Sequence, residues 1–170
     1  MPSSAFRLAL AGLLCVPLAA VAQQAPEIQR PVGTPQANGV LHTLRQIPEA
    51  CTRIEGRFTG DAAQPYAMNL VRTSPTCQAR AAFMDYDKVQ PSVAKGWKLN
   101  DIIKVPSASC AGQQAVVQVW RKPAGQELQL DGQERARLYL EDAKAQAQTG
   151  KLAALPAYAA KLAVDGKACR

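Results

Sequence analysis

Aromatic residues make up only 5% of this 170-residue chain, and histidine occurs once, at position 42. With one histidine and no G-x-S-x-G, a serine nucleophile lacks its usual supporting parts. No glycine-rich phosphate loop occurs. No two cysteines stand as C-x-x-C, so a tetrahedral zinc site of ordinary spacing is not encoded. Beyond the N-terminal stretch there is no second long apolar run, which argues against a multi-span membrane protein. The apolar fraction of 48% and charged fraction of 19% sit near the globular average and exclude wholesale disorder and collagen-like repeats. The parts of most enzymes are therefore missing. No cofactor or metal is expected, and the sequence does not name the molecule the protein acts on.

What is present begins with an export signal. Arg7 supplies the positive end, Leu8 to Ala20 the apolar run, and Ala20-Val21-Ala22 the small-x-small cleavage site before Gln23. Residues 1–22 read as a signal peptide, giving an exported chain, periplasmic or extracellular, without a transmembrane anchor in its mature form. Cys15 as an acylated residue is disfavoured because Leu14 precedes it where lipoprotein signals carry a small residue. Removal of the signal leaves Cys51, Cys77, Cys110 and Cys169, an even set that implies two disulfides in an exported protein. Of the three pairings, Cys51 with Cys77 is favoured because one hairpin returns the chain to the same sheet end. Cys110 with Cys169 then pins the C-terminus.

Residues 23–39, rich in Pro and Gln, have no apolar period and read as a flexible leader. A single domain follows over 40–170. Leu41, Leu44 and Ile47 fall at helical spacing before Pro48. The period then changes to two: strands are expected over Thr52–Thr59, Tyr66–Thr73, Ala79–Tyr86, Trp97–Val105 and Ala115–Trp120, separated by Gly/Pro/Ser turns. Helical spacing returns with Asp131 and Glu134 as a capping box and Ala136, Tyr139, Leu140, Ala143 and Ala147 as one face. A second short helix is expected over Ala157–Val164. The fold class that follows is α+β: an antiparallel meander of about five strands with a C-terminal helix packed on one face, stabilised by disulfides.

Few residues point to chemistry. His42 reads as a partly exposed structural histidine. Asp85, Tyr86 and Asp87 form an acidic strand end without a third ligand, a weak sign of a calcium or glycosidase site. The net charge of +7 says more. With Ile54, Phe58, Tyr66, Met68, Leu70, Phe83, Val105, Val117 and Val119 facing the helix, strand parity places Arg53, Glu55, Arg57, Asn69, Arg80, Met84, Tyr86, Lys98, Lys104, Gln118 and Trp120 on the other face. Arg57, Arg80, Lys98, Lys104 and Trp120 are the expected contacts for an anionic partner, set against the plainer reading of a solvated sheet face with Trp120 and Tyr86 covered by Val40–Ile47. The functional expectation is an exported, non-enzymatic binder of another envelope protein: an inhibitor, immunity-type or accessory factor. The alternatives are a binder of anionic envelope polymers such as lipopolysaccharide, peptidoglycan or lipid headgroups, and a hydrolase with an unrecognised site. Nucleic acid is not expected.

Overall fold

Two sheets, in place of one meander, are built from the alternating segments. The computed structural model describes residues 24–124, 155–167 and 169. Strands β1 (His42–Ile47), β2 (Thr52–Phe58) and β3 (Tyr66–Arg72) form an antiparallel sheet in that order. Strands β4 (Ala82–Phe83), β5 (Lys98–Pro106), β6 (Gln114–Lys122) and β7 (Ala157–Asp165) form a second sheet in the order β4-β7-β6-β5, antiparallel except for β4 against β7. Alternation turns Leu44, Ile47, Ile54, Phe58 and Tyr66 of the first sheet and Ile103, Val105, Ala115, Val117, Val119, Tyr158 and Ala160 of the second into one shared apolar cluster. The core is thus a layer between two sheets.

The segment Val40–Ile47, expected as a helix, is strand β1. The register against β2 slips between Thr43 and Arg45, so Leu44 is the extra residue of a β-bulge. A bulge adds one residue to the period, which lets Leu44 and Ile47, three apart, both face the core; three-residue spacing then imitates a helix. Ala157–Val164, also expected as a helix, is the strand β7. Tyr158, Ala160, Leu162 and Val164 take the core side of β7, and β6 supplies a continuous ladder from Gln114↔Asp165 to Lys122↔Ala157. Helix-favouring alanine is overridden by that tertiary partner. The strand expected over Ala79–Tyr86 shrinks to Ala82–Phe83, because the amides of Arg80 and Ala81 are taken by the carbonyl of Glu49 and Asp85 already caps the one-turn helix α1 (Tyr86–Val89). The helix expected around Asp131–Ala147 and the signal segment 1–22 lie outside the described residues.

Strands β4 and β5 run parallel at opposite edges of their sheet, so the chain between them must cross a face. It crosses the one away from the core. Tyr86 of α1 lies beneath the ammonium of Lys161, 5.4 Å from the ring centre, and Pro91 and Trp97 are buried along the way. Ala159, on that same face of β7, is fully buried. The small alanines therefore suit a strand over which another segment passes.

The Pro/Gln-rich stretch, expected to be flexible, has a place in the fold over residues 24–39. It lies along the free edge of β5: Glu27 and Ile28 donate to the carbonyls of Leu99 and Asn100, Gly33 to Lys104 and Gln36 to Pro106, all at 2.8–2.9 Å. What holds it is backbone pairing to an edge strand, for which an apolar period is not needed. Two disulfides complete the frame, Cys51–Cys77 with Cα atoms 5.9 Å apart and Cys110–Cys169 at 5.6 Å. The first ties the β1–β2 turn to the loop after β3; the second ties residue 169 to the β5–β6 turn. A pair of such bonds fits a non-reducing environment. No helix among the described residues is long and apolar enough to cross a membrane.

Candidate functional site

The densest cluster of charge lies where the leader, β1 and β5 meet. Asp101 follows a second bulge, at Asn100, which turns its side chain toward the core side, opposite Val119. It is fully buried. Arg30 grips both carboxylate oxygens, Nε to Oδ1 at 3.0 Å and Nη2 to Oδ2 at 2.5 Å, and Arg45 Nη1 also donates to Oδ2. Beside it, Glu27 accepts from Arg121 Nε at 3.1 Å, from Arg121 Nη2 at 2.7 Å and from Asn100 Nδ2 at 2.8 Å. The Arg121 guanidinium holds the Glu27 carboxyl below its ordinary range, partial burial opposing it and Asn100 assisting; Glu27 in turn raises Arg121. Tyr158 is pushed up, first by burial and then by the charge of Glu49. Bidentate arginine on a dry carboxylate is a strong, oriented contact. With the carboxylate oxygens of Asp101 and Glu27 all occupied the cluster works as a latch between leader and sheets, and Asp101 is spoken for as a base; the Asn100 Oδ1 is buried without a partner among the described residues.

His42 is structural in the same sense. Burial raises Tyr66 far above the usual phenol range, so its hydroxyl keeps its proton and donates to His42 Nε2 at 2.7 Å, which leaves Nδ1–H to donate to the carbonyl of Val40 at 3.1 Å. Gly56 makes the room: a Cβ there would stand 1.9 Å from the Tyr66 hydroxyl. The acidic Asp85-x-Asp87 pattern is a helix cap, Asp85 Oδ1 accepting from the amide of Asp87 at 3.0 Å. Among the described residues no three metal-ligating side chains converge. A cleft of about 70 Å³ near Asn38, Asp61, Ser109 and Cys110 holds no more than a few water molecules.

The five residues expected to form one basic face are divided among four places. Lys104 and Trp120 do share the outer face of the second sheet, since Lys104 pairs with Val116 and Leu99 with Trp120 in register. Lys98 does not. The bulge at Asn100 flips parity, so Lys98 pairs with Arg121 and joins the core-side cluster near Glu27. Arg57 stands on the outer face of the other sheet, opposite Ala67. Arg80 is in the loop after β3. Trp120 is half-buried, its indole Nε1 enclosed and without a hydrogen-bond partner among the described residues.

The chain matches no protein-family model, no curated protein and no solved structure. Two residues missed by sequence reasoning complete the outer face instead. Register places Lys122 and Lys161 beside Trp120 and Gln118 on the side that carries Lys104. Lys104, Lys122 and Lys161 are all exposed, and none enters an ion pair among the described residues. Reading β7 as a strand was the missing signal. For the latch, the signal was Asp101 itself, a lone acid among Leu99, Ile102 and Ile103 that burial forces to find partners.

Proposed function

We propose that this is an exported, non-enzymatic protein that binds another macromolecule of the cell envelope, a protein partner being the first choice, with the outer face of the second sheet as the contact. The observation that carries the reading is the contrast between paired and unpaired charge. Arg30, Arg45, Arg53 and Arg121 are committed to acids within the fold. Lys104, Lys122 and Lys161 project exposed from one face beside the half-buried Trp120, Gln118 and Tyr86 and enter no ion pair among the described residues, with Asp165 on the same face and Asp85 and Asp87 flanking Tyr86. Such a face attracts an anionic surface from a distance and offers ring and amide contacts on arrival. A periplasmic or extracellular setting goes with the signal-like N-terminus and the two bridges.

The same face favours a second reading, an anionic envelope polymer. Capture of partners from envelope extract on the mature protein, at low and at several hundred millimolar salt, separates the two: a protein interface with a buried centre survives the salt, a polymer contact is lost. Replacing Lys104, Lys122 and Lys161 by Ser is expected to leave the melting curve within about 0.5 kcal/mol per site while slowing association at low salt. Unchanged association at low salt places the partner elsewhere.

A further inference from the structure

Three of the four sheet edges are closed or blunted. The leader covers β5, a bulge kinks β1 at Leu44, and on the far side of the second sheet β4 covers Ala157–Tyr158 while the rest of the β7 edge carries the charges of Lys161 and Asp165. Strand β3 is different: Tyr66–Arg72 pairs with β2 in unbroken register, contains no proline or bulge, and has no partner on its other side among the described residues. Leu70, on its core-side face, is 50% exposed. Proteins ordinarily guard such an edge with charge, proline or a bulge, because its free N–H and C=O groups are a template for another strand.

The direction of those groups is fixed by the ladder's ends. Thr59 N–H donates to Pro65 and Thr73 N–H to Cys51. Bonded pairs alternate in an antiparallel ladder, so Ala67, Asn69 and Val71 turn their backbone groups to β2, and Tyr66, Met68, Leu70 and Arg72 turn theirs outward. We propose that β3 is where a second copy of this chain docks, antiparallel about a two-fold axis at Asn69, joining two three-stranded sheets into one.

That register brings together the outward-turned residues, Met68 with Leu70 and Tyr66 with Arg72, and covers the exposed Leu70 with the other copy's half-buried Met68. On the opposite face Asn69 meets Asn69 and Ala67 meets Val71. A second copy is selected over a foreign strand by this self-complementarity and by charge. Arg72 is the only charge on β3, it sits at one end, and its guanidinium is already held by the carbonyls of Ser74 at 2.9 Å and Cys77 at 2.6 Å. Antiparallel pairing keeps the two Arg72 residues a strand length apart. The interface is isologous and closes on itself.

The test is sedimentation equilibrium of the mature protein from about 10 to 500 µM, a range suited to a small interface. The wild type is expected to dimerise reversibly. Leu70→Pro removes an outward donor without taking a bond from β2 and should be monomeric throughout with its fold intact by circular dichroism. Should that variant misfold, Asn69→Lys and Asn69→Asp keep the test open: like charges face each other across the axis, so each alone should dissociate about threefold more readily, and an equimolar mixture should associate more tightly than either. A wild type that stays monomeric at 500 µM, a dimer indifferent to Asn69→Lys, a mixture no tighter than its components, or a monomer that takes up a foreign strand at β3 overturns the proposal.

Discussion

Replacing Asp101 by Asn removes one charge from a place water does not reach. Arg45 is left nearly dry, with 14% of its side chain exposed, facing a neutral amide that turns an N–H toward it in one of its two orientations. Breaking a buried ion pair from one side costs about 3–5 kcal/mol, chiefly because the surviving charge is uncompensated. For a domain whose whole stability is of the order of 5–15 kcal/mol, that is a large share. Arg30 has 35% of its side chain exposed and can turn to solvent, so Arg30→Ala should cost about 1 kcal/mol and act mainly on the leader.

Urea titration followed by tryptophan fluorescence reads both. With a slope of about 2 kcal/mol per molar, Asp101→Asn should lower the midpoint by roughly 1.5–2.5 M and Arg30→Ala by about 0.5 M. Hydrogen exchange adds the location, since loss of the latch should deprotect the amides of Gly33 and Gln36 ahead of the sheets. The decisive comparison is Asp101→Leu with Arg45→Met. If the cost is stranded charge, the double substitution should be markedly less harmful than Asp101→Asn alone. An Asp101→Asn variant within about 0.5 kcal/mol of wild type refutes the reasoning, as does a double variant at least as unstable as the single one.

The other expectations are smaller. Glu27 has a folded pKa below its ordinary 4.5, so its contribution is present above that value and lost as pH falls through the folded one. The stability gap between wild type and Glu27→Gln should be flat from pH 5 to 7 and close toward pH 3; a gap independent of pH contradicts the pairing with Arg121. Gly56→Ala places a methyl on the Tyr66 ring and should cost about 2–3 kcal/mol, against about 1 kcal/mol for Tyr66→Phe, which loses only the hydrogen bond to His42. Equal costs in thermal melts would mean that the ring moves aside freely.

The strands with clean alternation were legible in sequence. Thr52–Phe58 and Tyr66–Arg72 show period two because β2 and β3 pair without a slip. β5 and β6 were legible as strands but not in full parity, since one bulge at Asn100 sends Lys98 and Lys104 to opposite faces. Each bulge is a single-residue event with no composition of its own, and each misdirects every assignment on one side of it. The alanines of β7 carried the wrong local preference, which only the neighbouring strand and the crossing segment could overrule. The order of strands was not legible at all: nothing in Ala82–Phe83 announces that two residues will pair in parallel with a strand more than seventy positions later.

The leader shows how far composition misleads about order. Three prolines and no apolar period predict a chain that cannot offset its own entropy by burial. Yet Gly33, Gln36, Glu27 and Ile28 spend their amides on the carbonyls of β5, and Glu27 and Arg30 add ionic contacts to Arg121 and Asp101. Each bond is worth little alone. Together they close the long edge of the second sheet at β5, using residues that would otherwise be a tether. A segment used this way is unavailable for recruiting a partner. In the proposed reading, recognition falls on the lysines of the outer face and the edge of β3, and the first of these is electrostatic while the second is directional. An encounter steered by charge and an association fixed by backbone register depend differently on salt, so the two contacts can be separated in one titration: salt should slow the binding of an anionic partner and leave the pairing of two β3 strands nearly unchanged.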